Sequence, residues 1–346
     1  MKTRRRYRLW GTMYAVALIL FTAYVLLDTF VIPRSYAAVQ DSTIQSETSG
    51  GETEISVSAA GASDTSGAEN SADDSETADN SETSGTSDDA DTGKSSSTSA
   101  GVTATDTSYQ NDGVSITLTT TRYEDTTVYV ADITLSSTEA LKTALAKDTY
   151  GKNLTEKTSV MAEEHSAVLA VNGDYYGAQN RGYVIRNGTL YRDTAASSDQ
   201  EDLVIGSDGS FSIIKEGDVT AQELLNEGAW QVFSFGPALV EDGSISVGTD
   251  TEVDKAKTSN PRTAIGEIEP LHYVMVVADG RTEESAGLSL YEFAEFLQNL
   301  GVATAYNLDG GGSSTMYFNG QVINNPTSGG DTISERKVSD IVYVGV

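Results

Sequence analysis

A long segment with very few apolar residues confines the folded part of this chain to its C-terminal portion. Residues 39–106 consist largely of Ser, Thr, Gly, Ala, Asp and Glu, and Lys94 is the only basic residue among 15 acidic ones. Such a segment cannot bury enough apolar surface to offset its conformational entropy, so we predict a disordered acidic stalk. Residues 107–346 remain, which is enough for one large domain with a sizeable core.

The first 38 residues have the features of a targeting segment. Basic residues between Lys2 and Arg8 precede Trp10–Leu27, an uncharged and mostly apolar run of 18 residues. A run of this length is about the minimum that crosses a bilayer, and basic flanks stay in the cytoplasm. We therefore expect a single-pass membrane anchor with the C-terminal domain outside the cell. Ser35-Tyr36-Ala37 resembles a signal-peptidase site, so a cleaved signal peptide and a secreted domain are the competing interpretation.

Charge and composition exclude several classes of function. The formal net charge is −29, which argues against nucleic acid as a partner. The chain has no cysteine, so disulfide frameworks and thiolate metal sites are excluded. Two histidines, His165 and His272, argue against a zinc site built from several imidazoles.

Hydrophobic patterning predicts an α+β fold with a mixed β-sheet core and flanking helices. The spacing predicts helices over 138–147 and 155–165, and capping boxes start helices at Thr220 and Ser289. Short apolar or alternating runs predict strands and hairpins between these helices. They are residues 114–118 with 128–135, 167–171, 183–191 turning at Asn187-Gly188, 203–214 turning at Asp208-Gly209, 230–235, 317–323 turning at Asn319-Gly320, and 341–346.

Polar residues follow three of the buried strands at the point where each strand ends. Val171 leads to Asn172-Gly173-Asp174, Val277 leads to Ala278-Asp279-Gly280-Arg281, and Tyr306 leads to Asn307-Leu308-Asp309. Placing an Asn-x-Asp at the end of a buried strand is costly unless the group is paired or functional. Each aspartate taken alone could simply open a turn. Taken together, the three favour one shared cleft.

The block that follows Asp309 is rich in glycine. Gly310, Gly311 and Gly312 leave the backbone free to adopt positive φ and let a ligand approach closely, and Ser313 comes next. Successive N–H groups in such a turn can form an anion-binding concavity. The structural alternative is an ordinary glycine-rich turn that Asp309 caps.

Arginines are the cationic side of the predicted site. Arg262 follows Asn260-Pro261 and enters a strand in a strongly acidic domain, where a guanidinium suits bidentate recognition of phosphate or carboxylate. Arg186 and Arg336 are weaker candidates of the same kind. A surface salt bridge is the structural alternative for each of them.

Residues 150–346 resemble the phosphodiester glycosidase family. The resemblance is carried, in matching order, by Asn172-Gly173-Asp174-Tyr175-Tyr176, Asn260 to Gly266, Asp279-Gly280-Arg281, Asn307 to Thr315, and Arg336 to Asp340. It implies hydrolysis of a sugar-1-phosphodiester, such as a GlcNAc-1-phosphate linkage. Bacterial members of this family are often described as exopolysaccharide-related. Because the domain is expected to be exported, an extracellular or cell-wall glycan is the expected substrate.

The resemblance also implies roles for the candidate residues. Asp309 is expected to act on the anomeric carbon, with Asp174 as the second choice, and Arg262 to hold the phosphate. His272 is a candidate acid or base, although a satisfied histidine in the core or at a sheet edge is the simpler interpretation. The expected substrate-binding residues are Asn172, Arg186, Asp279, Asn307, Gly310, Gly311, Gly312, Ser313 and Arg336.

Two other functions fit the same residues. Three aspartates and two asparagines could bind Mg²⁺ or Ca²⁺ in a metal-dependent phosphodiesterase, although the sequence does not require a cofactor. A non-catalytic polysaccharide-binding module on a stalk is the third possibility.

Overall fold

A computed structural model describes residues 2–39, 97–99, 102–251, 259–328 and 332–345 of the chain. Helix α1 extends over Lys2–Phe30. No helix in this described part is both long enough and apolar enough to cross a membrane. The anchor predicted at Trp10–Leu27 therefore has no support from the structure, and the extracellular location stays a prediction.

Most of the predicted stalk lies outside the described residues. Its last described residues form two strands, β2 (Ser97–Ser99) and β3 (Val102–Ala104), which extend a large sheet. The sheet therefore begins before residue 107, where the folded part was expected to start.

Sheets dominate the fold, and every strand pair among the described residues is antiparallel. The largest sheet has ten strands in the order β17-β16-β20-β18-β19-β6-β5-β4-β3-β2. Its further strands are β4 (Ser108–Gln110), β5 (Val114–Tyr123), β6 (Thr126–Leu135), β16 (Ala238–Glu241), β17 (Ser244–Ile245), β18 (Arg262–Glu269), β19 (His272–Ala278) and β20 (Thr304–Asn307).

Two five-stranded sheets accompany the large one, in the orders β22-β21-β10-β26-β7 and β12-β11-β15-β13-β14. The first is built from β7 (Leu141–Leu145), β10 (Ala167–Asn172), β21 (Met316–Phe318), β22 (Gln321–Val322) and β26 (Asp340–Gly345). The second is built from β11 (Val184–Arg186), β12 (Thr189–Arg192), β13 (Glu201–Gly206), β14 (Phe211–Lys215) and β15 (Ala229–Phe233).

Short strands and helices complete the fold. Two-stranded pairs join β1 (Arg34–Ser35) to β8 (Gly151–Lys152), β9 (Glu156–Lys157) to β25 (Lys337–Val338), and β23 (Thr327–Ser328) to β24 (Thr332–Ile333). The remaining α-helices are α2 (Thr158–Glu164), α3 (Ala221–Asn226) and α4 (Leu290–Asn299). Turns of 3₁₀-helix occur at Thr138–Ala140, Ala146–Asp148, Tyr176–Ala178 and Gly311–Ser313.

Two apolar clusters hold the layers together. The larger one joins side chains of all three main sheets, among them Ile133, Leu169 and Phe233. The second lies on the other face of the ten-stranded sheet, where Phe293 and Leu297 of α4 pack. Removal of this apolar surface from water is the main force that holds the sheets and α4 together.

The local predictions are confirmed at the caps and tight turns. Both capping boxes are present, with Thr220 and Ser289 accepting from the backbone N–H three residues on. Asn187 and Gly188 have φ of 50° and 69°, as a type I′ turn requires. The helix predicted over 138–147 is wrong, because pairing of β7 with β26 overrides local helix propensity. The helix predicted over 155–165 is confirmed in its central part by α2.

Candidate active site

The predicted strand ends meet at one place. Arg262 begins β18 and pairs with Ala278 at the end of β19, while Asn307 ends β20 on the other side of β18. Asn172, at the end of β10 in another sheet, bonds to the Asp309 loop. A cavity of about 780 Å³ opens here, which we call the central cavity. Its wall includes Tyr175, Arg262, Arg281, Asn307, Asp309 and Arg336.

Arginine side chains give the central cavity its positive wall. Arg262 is buried, Arg281 is half-buried and Arg336 is exposed. Burial, together with the charge of Arg281, lowers the pKa of Arg262 to about 10. Burial and the charge of Arg336 lower the pKa of Arg281. These cations repel one another. An anion bound between them would attract each guanidinium and offset that repulsion.

Backbone contacts and glycines set the positions of these arginines. Arg262 Nε donates to the Leu288 carbonyl at 2.9 Å, and Arg281 Nη2 donates to Asn260 Oδ1 at 3.0 Å. A Cβ on Gly311 would lie 2.8 Å from Arg281, and one on Gly312 would lie 2.7 Å from Arg336. Gly311 also has φ of 63°. The glycine block thus lets these guanidinium groups lie close to the backbone.

Asp309 lies at the wall of the central cavity, as the sequence predicted. Burial raises the pKa of the Asp309 carboxyl, while Ser313 and the charge of Arg336 oppose this effect. Its backbone N–H donates to the Gly173 carbonyl at 3.3 Å. A carboxylate with a raised pKa is a stronger base than an ordinary aspartate.

Asn172 holds the Asp309 loop and does not line the central cavity. Its Nδ2 donates to the Asp309 carbonyl at 2.6 Å, and its Oδ1 accepts from Thr263 Oγ1 at 2.9 Å and from the Thr315 N–H at 3.2 Å. Nδ2 also donates to the Gly173 carbonyl at 3.2 Å, so the amide is fully hydrogen-bonded. Asn172 is thus a positioning residue, and the structure gives no sign of the sugar contact expected from the sequence.

Asn307 does face the central cavity. Its Nδ2 donates to the Gly236 carbonyl at 2.9 Å, which fixes the amide. Its Oδ1 is buried and accepts no hydrogen bond from the described residues. A buried acceptor without a donor is costly, so this amide is under-satisfied beside the central cavity.

Asp174 and Arg186 lie behind the cavity wall, in a buried ionic cluster. Arg186 Nη2 is 2.8 Å from Asp174 Oδ2, and Arg186 Nε is 2.9 Å from Asp340 Oδ2. The Asp174 carboxylate also accepts from the backbone N–H groups of Tyr176 and Ser234. Both side chains are buried and neither lines the central cavity, so the structure gives no support to the substrate contact predicted for Arg186.

Asp279 and His272 are also absent from the cavity wall. The Asp279 carboxylate accepts from Asn324, Asn325 and Tyr129, which ties the end of β19 to a neighbouring loop. His272 lies 3.1 Å from Asp132 at the opposite end of β19. Six residues of extended strand separate it from Ala278, a distance of about 20 Å. The structure therefore gives no support to the acid–base role considered for His272.

Arg281 and Tyr175 line the central cavity but were not predicted from the sequence as site residues. Arg281 was quoted within Asp279-Gly280-Arg281, but the aspartate was chosen as the site residue. Arg281 has φ of 64°, an unusual backbone conformation for a non-glycine residue and one that often marks functional sites. Tyr175 lies between two buried residues and is 45% exposed. Only its place after Asn172-Gly173-Asp174 could have drawn attention to it.

A metal site is not apparent in the described residues. They contain no group of three or more His, Cys, Asp or Glu side chains placed to hold an ion. The central cavity combines several guanidinium groups with the Asp309 carboxylate, a set that favours an anion over Mg²⁺ or Ca²⁺.

Comparison with known proteins assigns the family. The family model described as phosphodiester glycosidase matches residues 165–345, and the chain belongs to this family. The match covers β10, β18, β20 and β26, the strands that build the central cavity and the cluster behind it.

Relatives were found among both sequences and solved structures. An uncharacterized SPbeta prophage-derived protein of Bacillus subtilis is 29% identical over 250 residues, 66% of this chain and 38% of that protein. Human N-acetylglucosamine-1-phosphodiester alpha-N-acetylglucosaminidase is 38% identical over 101 residues, 26% of this chain and 19% of that enzyme. The chain thus matches less than half the length of either relative.

The catalytic domain of the zebrafish N-acetylglucosamine-1-phosphodiester alpha-N-acetylglucosaminidase, solved in a form auto-inhibited by its pro-peptide, has a similar fold. The TM-score is 0.53 at 22% identity, and the match covers 67% of this chain and 83% of that domain.

Proposed function

We propose that this protein hydrolyses a sugar-1-phosphodiester and separates the sugar from a phosphorylated acceptor. One observation carries the proposal: Arg262, Arg281 and Arg336 share a cavity with the Asp309 carboxylate. A sugar phosphodiester places one negative charge next to an anomeric carbon. The cavity offers cations for that charge and a carboxylate for that carbon.

The arginines would bind the phosphate and stabilise it as it leaves. When the bond between the anomeric carbon and the phosphate oxygen breaks, its electron pair stays on the phosphate, which gains charge. Guanidinium groups stabilise this developing charge more than the charge of the intact diester. The phosphate monoester is a weak base, so its departure needs little help from a general acid. This removes the need for an acid such as His272.

Asp309 would act on the anomeric carbon, either as the nucleophile or by taking a proton from the attacking water. Its raised pKa supports the second role in particular, because a stronger base removes a proton more readily. Asn307, on the wall of the central cavity, would help to position the sugar. Both residues follow from the strand β20, so one element orients the sugar and the reacting carboxylate.

The identity of the sugar in the substrate is also part of the proposal. The human and zebrafish relatives are named for N-acetylglucosamine-1-phosphodiester, so we take a GlcNAc-1-phosphate linkage as the first candidate. The proposal places the activity outside the cytoplasm, on an extracellular or cell-wall glycan. The basic start and the apolar run Trp10–Leu27 support that placement.

The decisive experiment measures release of free GlcNAc from the methyl diester of GlcNAc-1-phosphate and from UDP-GlcNAc by the full chain. The proposal expects release that persists in EDTA. Wild-type protein that releases no GlcNAc from either compound would contradict the proposed substrate. Activity that EDTA abolishes and Mg²⁺ or Ca²⁺ restores would favour a metal-dependent phosphodiesterase.

Arg262→Ala tests the phosphate contact separately from the glycosidase chemistry. We expect a loss of about 10²-fold in kcat/KM on the phosphodiester and a smaller loss on an aryl N-acetylglucosaminide, which carries no phosphate. Arg122→Ala is the matched control, because Arg122 is an exposed arginine that does not line the central cavity. Equal losses on the two substrates would remove the phosphate role of Arg262.

A further inference from the structure

A second, smaller cavity adjoins the central cavity. It has a volume of about 300 Å³, and Gln179 and Asn180 line both cavities. Tyrosines form much of its remaining wall, so we call it the tyrosine groove. They are Tyr36, Tyr150, Tyr176 and Tyr191.

The tyrosines of the groove form one contiguous aromatic cluster around Tyr150. The Tyr150 ring centroid lies 5.3 Å from that of Tyr176, 4.9 Å from that of Tyr191 and 6.1 Å from that of Tyr36. Tyr150 and Tyr176 are buried and form the base of the cluster. Tyr36 is 48% exposed, so its ring is available to a ligand.

The N-terminal segment that carries Tyr36 is held firmly on the domain. The Tyr36 N–H donates to the Tyr150 carbonyl at 2.8 Å, and β1 pairs with β8. A Cβ on Gly151 would lie only 1.8 Å from the Arg34 carbonyl oxygen. The chain therefore has glycine where the two backbones approach most closely, as expected for a specific contact.

The ridge between the two cavities is fixed by basic side chains. Lys152 Nζ donates to Asn180 Oδ1 at 3.0 Å, and Arg192 Nη1 donates to the Gln179 carbonyl at 2.9 Å and the Tyr176 carbonyl at 3.1 Å. No carboxylate is among the residues that line the groove. The groove thus combines aromatic rings with amide groups on a rigid base, within a strongly acidic protein.

We infer that the tyrosine groove binds a further sugar ring of the substrate, so that the protein acts on a glycan chain rather than on a single sugar phosphate. This inference rests on the proposed function. The C–H face of a sugar ring packs well on an aromatic ring, and its hydroxyls can bond to Gln179 and Asn180. A glycan that crosses this ridge occupies both cavities at once. Tyr175, which precedes Tyr176 in the sequence, lies on the wall of the central cavity.

The test compares a short and two extended substrates with the full chain. The short probe is the methyl diester of GlcNAc-1-phosphate. One extended probe has chitotriose as the acceptor alcohol, and the other has chitotriose in place of the scissile GlcNAc. We expect at least one extended probe to have a kcat/KM about tenfold higher than the short probe in wild-type protein. We expect Tyr36→Ala to remove most of that advantage.

Variants and a binding measurement keep the test specific. Tyr36→Phe keeps the ring and should preserve the advantage. Tyr24→Ala, which changes an exposed tyrosine of α1 that lines neither cavity, should preserve it too. An extended-probe advantage that is absent in wild type, or unchanged in Tyr36→Ala, would overturn the inference.

Wild-type protein that cleaves none of the probes would count against the proposed function rather than the groove. The groove is then judged by calorimetric binding of chitotriose, cellotriose and maltotriose. Weaker binding of at least one of these in Tyr36→Ala supports the inference, and binding of none, or binding independent of Tyr36, overturns it.

Discussion

Arg262 and Arg186 are both buried arginines, but they lie on opposite sides of the cavity wall. Arg262 shares its surroundings with Arg281, and this positive neighbour contributes to its lowered pKa. Arg186 lies between Asp174 and Asp340, and its ring neighbours are Phe233 and Tyr176. Arg262 lines the central cavity, whereas Arg186 is enclosed by two carboxylates of the fold. Burial of an arginine therefore says little about function until the sign of its neighbours is known.

The carboxylates show the same contrast. Asp309 lines the central cavity beside cations of the wall, whereas Asp174 and Asp340 neutralise Arg186 in the interior. Substitutions in the wall should change activity at constant stability, and substitutions in the buried cluster should change stability. Four predictions test this division, in order of decreasing expected effect.

Asp309→Asn should give the largest change in activity. The amide cannot serve as a base or nucleophile, so we expect kcat to fall about 10³-fold while the melting temperature stays within a few degrees of wild type. Steady-state release of GlcNAc and a thermal melt are the two measurements. A variant that keeps most of its activity would show that Asp309 is not the reacting carboxylate.

Arg186→Leu should give the opposite result, a loss of stability. Two buried carboxylates would lose their shared cation, and breaking a buried pair in this way costs about 3–5 kcal/mol. The free energy of unfolding in urea measures the loss. Arg122→Leu is the control for an exposed arginine and should cost less than about 1 kcal/mol. A stable Arg186→Leu variant with impaired catalysis would show that Arg186 serves activity rather than stability.

Asp202→Asn should change how stability depends on pH. Burial raises the pKa of the Asp202 carboxyl to about 9, so the folded protein keeps a proton that the unfolded chain releases near pH 4. This contribution to stability is complete below about pH 4 and is lost as pH rises toward 9. The slope is about 1.4 kcal/mol per pH unit at most. In the Asn variant, the decline in unfolding free energy between pH 5 and 9 should be shallower. An unchanged slope would show that Asp202 is ionised in the folded protein.

His272→Ala should have the smallest effect. The side chain is far from the central cavity and contacts the surface residue Asp132, so kcat/KM should stay within about twofold of wild type and stability within about 1 kcal/mol. The pH–rate profile is the informative measurement. Loss of one limb of that profile in the variant would return His272 to the list of acid–base candidates.

The local features of the chain were predictable because neighbouring residues create them. The capping boxes at Thr220 and Ser289 and the turn at Asn187-Gly188 follow from side-chain and φ requirements within a few residues. The 138–147 segment shows the limit of this approach. Its composition favours a helix, but β26, almost two hundred residues later, supplies a strand partner with better packing.

The candidate site was predictable only in part. The glycine block explains why Asp309 and Asn307 could be proposed, since a polar strand end followed by three glycines is unusual. The local sequence ranked Arg262 above Arg186 through the preceding Asn260-Pro261, but it could not show that Asp174 and Asp340 enclose Arg186. The tyrosine groove was not predictable either. Tyr36 and Tyr150 come together through the pairing of β1 with β8, across more than one hundred residues of sequence.

By itself, the sequence determined the chemical groups available to this protein: an acidic chain without cysteine, a glycine block after a buried strand, and arginines near it. Tertiary structure decided which of those groups meet a ligand. The electrostatic and hydrogen-bonding partners of a charged group come from distant strands. A charged group that is paired inside the fold, as Arg186 is with Asp174 and Asp340, contributes to stability. A charged group that lines a cavity, as Arg262 and Asp309 do, remains within reach of a substrate.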